Sequence, residues 1–361
     1  MRVLVVCTVQ HPRDARVHGR EITALIQAGH EVTQVAPFAA FGVAPAPGVR
    51  GIDIPRSQGR RRLASLRAAR AAIRREAHDA DVILLHSPET LLAVAGLDHP
   101  CIVWDVHEDT AAAVGMKPWL PAALAAPATW GVRTAEHWAE GHMHLLLAEH
   151  AYADRFVQAH PVVPNSVLVP DSVPPSGRGR AIYVGSVTQA RGARELVALG
   201  RLLRDDAVSV RLDVVGTAGP EVRSEMEDAG REGWLAWHGY VENATALSML
   251  EGATVGLSLL HDEPNYRHSM PTKLLEYLAH GVPFVSTPLP LAVDLAERSG
   301  GGVIVPFGDA RAARDAVIAL DADGERRQRM ADSGRAWVRE HANWAIDGPA
   351  FVAQLQEWAR K

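Results

Sequence analysis

The stretch HSMPTKLLEYLAHGVPFVST, residues 268–287, decides how the chain is read. It gives a polar loop, one helix, a Gly-Val-Pro break and a short apolar strand, which is one beat of an alternating α/β pattern. Pro271, Lys273 and Glu276 stand at the opening of that helix. Lys273 and Glu276 are three residues apart and share a face, beside backbone N–H groups that a helix start leaves unpaired. The arrangement predicts that something polar is held there.

Working outward, the same rhythm fills the chain. RVLVVCTV, a helix from about residue 14 to residue 28, and EVTQVAP make a βαβ unit, with Gly29 suited to cap the helix. DVILLH (81–86), CIVWDVH (101–107) and HLLLAEH (144–150) are nearly continuous apolar runs, as expected for parallel strands covered on both faces. Around VPDSVPPSGRGR (169–180) the pattern lapses, and a linker is placed there. It restarts with AIYVGS, VRLDVVG, WLAWHGYV, TVGLSLL, PFVST and GGVIVPF, with helices between them. The expected fold class is therefore α/β, with two Rossmann-like, doubly wound parallel-sheet domains in tandem. Their expected extents are 1–170 and 171–342. Two further helices close the chain, the second carrying Trp344 and Trp358 as packing anchors.

Composition narrows the function. The 361 residues are 47% hydrophobic and 22% charged with a net charge of -5, which suits a globular protein and disfavours a binder of nucleic acid through many phosphate contacts. Cys7 and Cys101 lie in apolar runs and read as buried thiols rather than a bridge, fitting a reducing compartment. MRVLVVCTVQHPRDAR reads as a first buried strand, not a secretion signal. No run reaches the roughly 18 apolar residues that span a bilayer. The expected location is the cytoplasm, with peripheral contact at the inner face of the membrane left open.

The chemistry points to phosphate. In parallel sheets ligands sit beyond the carboxyl ends of the strands, where helix starts offer N–H groups to anions. The opening stretch is one such place, and YVGSVTQARGARELV (183–197) is another. There Arg191 offers a planar fork and Gly192 allows close backbone approach. A glycine fingerprint for dinucleotides is missing after the first strand, as is a P-loop, which weakens dehydrogenase and nucleotide triphosphatase readings. Glu276 could take two hydrogen bonds from a ribose diol.

These motifs carry a resemblance. GSVTQARGARELV, PTKLLEYLAHGVPFV and DVHED, with HPRDARVHGREITALIQAGHEV, VPNSV, VVG and WHGYV in the same order, resemble the retaining, nucleotide-sugar-dependent glycosyltransferases of the GT-B fold, family 4, group 1 type. The resemblance covers most of the chain. It implies an N-terminal acceptor domain and a C-terminal donor domain facing a cleft, with 343–361 as a helix crossing back to the first domain. It implies transfer of a sugar from a nucleotide-diphosphate sugar to a hydroxyl on a sugar, glycolipid or natural product, with no metal and no cofactor beyond the donor. The Ala/Arg-rich composition suits a bacterial chain. The D-x-D pattern of metal-dependent transferases occurs only as DAD at 321–323, between late helices.

Carried over residue by residue, Arg191 and Lys273 grip the donor diphosphate and stabilise its departure, and Glu276 holds the ribose. Gly185, Ser186, Gly192, Gly216, Val241, His268, Met270, Pro271, Thr272 and Leu274 complete the implied donor side. His107 matches the family histidine that approaches the transferred sugar, and with Arg191 and Lys273 forms the implied catalytic set. Asp14, Arg16, His86 and Glu108 join His107 on the acceptor side. Two positions depart from the family: His268 stands where the first of two glutamates is usual, and Ser186 where an arginine is usual. They keep open a noncatalytic nucleotide-sugar binder, and the shared fold keeps open a sugar-nucleotide epimerase or phosphorylase.

Each residue has a plainer reading too. His107 could be a structural residue at a strand end, Glu276 could pair with Lys273 on a helix surface, and Arg191 could be a solvated charge. RRRLASLRAARAAIRREAH (60–78) reads as a solvated helix with Leu63, Leu66 and Ile73 packed inward, its basic surface free to meet an anionic acceptor or membrane. AAVGMKPWLPAALAAPATW (112–130) reads as irregular and apolar, either a lid or interdomain packing.

Overall fold

Six strands in the first half, β1 (Arg2–Val6), β2 (Glu31–Ala36), β3 (Val49–Asp53), β4 (Val82–Leu85), β5 (Ile102–Val106) and β6 (His144–Leu147), pair in the order β3-β2-β1-β4-β5-β6. Six more form β7 (Arg180–Val184), β8 (Arg211–Val215), β9 (Ala236–Gly239), β10 (Val255–Ser258), β11 (Phe284–Ser286) and β12 (Gly302–Ile304), in the order β12-β11-β10-β7-β8-β9. Every pairing is parallel. Both sheets therefore wind outward in two directions from their first strand, and each reverses strand order beside it, at β1/β4 and at β7/β10. Such reversals open a crevice at the carboxyl ends of the strands.

The computed structural model describes residues 1–111, 122–206 and 209–361. It divides into one unit of Met1–Asn165 with Ala345–Lys361 and another of Ser166–Trp344. Helices cover both faces of each sheet, so successive strand residues enter different cores. In β7, Ala181 and Tyr183 pack with Leu212, Val214 and Leu257, while Ile182 packs with Phe284, Leu274 and Leu278. A fully buried aliphatic or aromatic side chain contributes about 1.5–3 kcal/mol, which is why the strands read as unbroken apolar runs.

Several local expectations change. The first helix is not uniform: Val17–Ile22 is wound in wider turns, with Gly19 N–H donating to Asp14 O at 3.0 Å and Glu21 N–H to Arg16 O at 3.0 Å, before the ordinary helix Thr23–Gln27. β3 has no counterpart in the sequence reading, because Gly51 and flanking charges hide it; a Cβ at Gly51 would fall 2.1 Å from Pro45 Cγ. In the helix Arg62–Glu76 the inward row is Ser65, Ala69, Ala72 and Ile73, with Leu66 half-buried. Leu63, expected inside, lies 200° around from Ser65 at about 100° per residue and is 66% exposed. The run 112–130, expected to be irregular, is helical from Ala122 within Ala122–Glu140, with Pro127 inside that helix. Residues 112–121 and their reading as a lid lie outside the described residues.

At the other end, Gly324–His341 belongs to the second unit, and Trp344 donates its N–H to Val167 O at 2.9 Å. The following helix, Trp344–Trp358, packs on the first unit: the Trp358 ring stacks on His144 at 4.5 Å, and Gln356 meets His30 at 3.1 Å. Among the described residues no helix is long and apolar enough to cross a membrane.

Candidate functional site

The second unit builds its site at the β7/β10 reversal. These two strands pair only through Ala181–Val255 and Ile182–Gly256. Past that point the Tyr277 hydroxyl takes over, accepting from Val184 N–H at 3.0 Å and donating to Leu257 O at 3.0 Å. Gly256 makes room for it, since a Cβ there would fall 2.3 Å from the Tyr277 ring. A tyrosine thus spans the opening and pins the helix Thr272–Ala279 to the strand ends. That fixes Lys273 and Glu276, one turn apart, at the mouth.

Lys273 turns into the unit. It is only 8% exposed, and its ammonium lies 3.6 Å from the centre of the Tyr183 ring with no hydrogen-bond partner among the described residues. Burial, then the charge of Arg191, hold this ammonium well below its ordinary pKa, against the pull of Glu276. Tyr183 donates to Ser186 O at 2.6 Å and is in turn reached by Arg191. The Arg191 guanidinium also lies 5.9 Å from the centre of the Tyr266 ring. Two cations therefore sit against one tyrosine with too little negative charge between them. Negative charge placed beside them would relieve both cations.

Glycines keep the floor clear. Gly185 has φ 135°, and a Cβ there would come 3.1 Å from Lys273 Nζ. Gly216 has φ 142° and Gly192 φ 83°, and their added Cβ atoms would collide with Gly185 O at 1.8 Å and Leu259 O at 2.2 Å. Val241, Met270, Pro271, Thr272 and Glu276 are half-buried. His268 and Ser186 are exposed, and Leu274 packs in the core, so its side chain contacts no ligand. Tyr183 and Tyr277 escaped the sequence reading. Their signal was a polar hydroxyl inside apolar runs, which must find partners.

The first unit carries a second polar cluster, at the ends of β1, β4 and β5. Asp105, 1% exposed, is clasped by Arg16 through Nε at 2.9 Å and a terminal nitrogen at 2.6 Å. Its Oδ2 also meets His107 Nδ1 at 2.9 Å and His86 Nδ1 at 3.2 Å. Glu21, fully buried, pairs with Arg16 at 3.1 Å and faces His86 Nε2 at 3.4 Å. The wide helical winding brings Arg16 and Glu21, five residues apart, to one side. Arg16 further donates to Asn165 at 3.0 Å and Val163 O at 3.2 Å.

Burial opposes the charge on Asp105, but Arg16 and the hydrogen bonds of His107 and His86 outweigh it and hold the carboxyl well below its usual range. For His107 burial is likewise outweighed by Asp105, which pushes the imidazole up to about 9. Burial and the Asp105 charge push Glu21 up to about 7. Arg16 and His86 are buried parts of this scaffold. Asp14 caps the helix start, accepting from Arg16 N–H at 2.9 Å and Val17 N–H at 3.1 Å. His107, half-buried, is the member that reaches outward, and Glu108 beside it is exposed. Asp105 and Glu21 went unnoticed in the sequence, although a charge inside CIVWDVH demands a buried partner.

Comparison with known proteins fits both sites into one fold. Residues 178–323 match the family model described as glycosyl transferases group 1. The match lies within the second unit and supports a transferase enzyme. Among solved structures, the chain resembles sucrose-phosphate synthase from Thermosynechococcus elongatus with TM-score 0.77 at 16% identity, covering 99% of this chain and 98% of that one. WaaG, a glycosyltransferase involved in lipopolysaccharide biosynthesis, gives TM-score 0.70 at 15% identity over 96% and 98%. Anabaena HepE, solved in complex with UDP and glucose, gives TM-score 0.70 at 13% identity over 99% and 99%. These likenesses establish the GT-B fold. Compared by sequence with curated proteins, the chain matches none.

Proposed function

We propose that this chain is a retaining, family-4-type glycosyltransferase that moves a sugar from a nucleotide-diphosphate sugar to a hydroxyl acceptor without a metal ion. The observation that carries the reading is the buried ammonium of Lys273, without a hydrogen-bond partner among the described residues and flanked by Arg191 from the loop that follows β7. An arriving diphosphate relieves that strain, and the same two cations favour its departure as negative charge grows on it. Glu276, facing the same mouth, accepts hydrogen bonds from the donor ribose. The structure of HepE with UDP and glucose supports this choice of ligand class.

The acceptor side is assigned to the first unit, with His107 as the group that meets the sugar or the incoming hydroxyl. Same-face attack by the acceptor, with the leaving phosphate as base, accounts for retention. Isothermal titration with a panel of nucleotide-diphosphate sugars, followed by product analysis with sugar and glycolipid acceptors, tests the reading. Donor binding lost in Glu276→Ala and transfer with retained anomeric configuration are expected; an inverted product or absence of donor binding overturns it. The exposed positions of His268 and Ser186 favour one rival, a binder without turnover. Donor affinity with no nucleotide release across the acceptor panel would favour that rival instead.

A further inference from the structure

The helix Arg62–Glu76 in the first unit carries a feature that the transferase reading does not use. Between Gly59 and Arg75 stand seven arginines and no acidic residue, in a chain whose net charge is -5. Arg60, Arg61, Arg67 and Arg74 are exposed and form no ion pair among the described residues. Arg75 is bound to Glu76, and Arg70 donates to Leu92 O and Ala95 O, both at 2.9 Å. Arg60, Leu63, Arg67 and Arg74 recur at helical spacing along one outer face. Repulsion within such a row costs stability, and among the described residues no ion pair at Arg60, Arg61, Arg67 or Arg74 offsets it.

Apolar surface accompanies the charge. Leu63 is 66% exposed within the arginine row. Arg70 ties the helix to residues 92–95, where Leu92 is 61% exposed. Leu92 also borders an apolar cavity of about 700 Å³ whose walls include Leu91, Trp104, Val132 and Trp138. Trp130, on the helix that forms one wall, is 72% exposed. A polyanion such as nucleic acid would satisfy the arginines but leave these leucines and the tryptophan wet. A bilayer with anionic headgroups satisfies both at once.

We propose that the first unit docks on an anionic lipid bilayer through the arginine row of the helix Arg62–Glu76, with Leu63 and Leu92 entering the headgroup layer. The surface is distinct from the anion pocket of the second unit, and its binding is measured without turnover, so it stands or falls apart from the proposed reaction. The whole chain is sedimented with vesicles of phosphatidylcholine alone and of phosphatidylcholine with phosphatidylglycerol. Binding is expected only to the mixed vesicles. It should fall when salt rises from about 0.1 M to about 1 M, as the screening length shrinks from about 10 Å to about 3 Å.

Each Arg→Gln change at 60, 61, 67 or 74 should weaken partitioning about fivefold, and Leu63→Ser should weaken it with the salt dependence retained. The variants lie on the surface, and unchanged melting temperatures confirm that they are folded. Arg311→Gln with Arg326→Gln, exposed positions of the second unit, serve as controls and should bind as the parent does. Equal binding to neutral vesicles, full binding by the quadruple variant, or equal loss in the controls overturns the proposal.

Discussion

The ammonium of Lys273 rests 3.6 Å above the ring of Tyr183, buried and without a hydrogen bond among the described residues. A cation on an aromatic face gains about 2 kcal/mol when desolvated, while burying a charge without full pairing costs more. The position is therefore strained in the free protein. Lys273→Met, of similar length and no charge, should raise stability by about 1–2 kcal/mol. It should also lower transfer about 100-fold or more. The stability gain is present wherever the free ammonium would be protonated and fades as pH climbs toward 10.5, the ordinary value. Urea unfolding of both proteins across that range, with transfer rates beside it, checks both halves. A variant that loses stability would mean that the ammonium is held by favourable contacts.

Because burial and Arg191 lower the pKa of Lys273, a bound diphosphate should raise it again. Binding at mildly alkaline pH should then take up protons. Calorimetric titration of a nucleoside diphosphate in buffers of different ionisation enthalpy reads that uptake directly. It should vanish in Lys273→Met, and uptake that survives the substitution would place the proton elsewhere.

The glycines divide into two kinds, and substitution separates them. Gly216→Ala forces a Cβ to within 1.8 Å of Gly185 O at φ 142°, both backbone constraints, and should cost about 3 kcal/mol or more. Gly230, inside the helix Arg223–Arg231, has nothing within 4 Å of its added Cβ. Gly230→Ala should stabilise by about 0.5–1 kcal/mol. Thermal melting of the two proteins should move in opposite directions.

The strand rhythm was legible because burial on both faces leaves an apolar run with no alternation, as in DVILLH and CIVWDVH. Lys273, Glu276 and Arg191 were legible because helix openings after strands are where anions bind. The structure brings Lys273 to Tyr183 across 90 residues of chain, beside Arg191 from the loop that follows the tyrosine's strand, a meeting that no local pattern encodes. The Arg16–Asp105–His107 cluster was hidden for the same reason: Arg16 was read as an acceptor-side residue with no buried partner, and it is β5 that delivers Asp105 to it. Leu63 was misplaced because the register of a helix whose apolar residues are mostly alanine is set by neighbours rather than by its own stripe.

His107 offers the clearest pH test. Its Nδ1 meets Asp105 at 2.9 Å, and its Nε2 faces the Gln10 amide nitrogen at 3.2 Å, while Gln10 Oε1 accepts from Cys7 Sγ–H and Ser87 Oγ–H, each at 2.9 Å. With the imidazole protonated, both ring nitrogens donate, so Nε2–H would face an N–H donor. Turning the Gln10 amide removes that conflict, and the choice of orientation follows the proton. The folded value of about 9 lies above the ordinary 6.5, so the Asp105–His107 pair stabilises fully below 6.5 and loses its contribution as pH rises through about 9. The stability gap between the parent and His107→Asn should accordingly shrink by about 3 kcal/mol across that window. Gln10→Glu, which presents only acceptors when ionised, should carry the loss to still higher pH. A gap that stays flat from pH 6 to 10 would show that His107 is neutral throughout, with Gln10 donating to it.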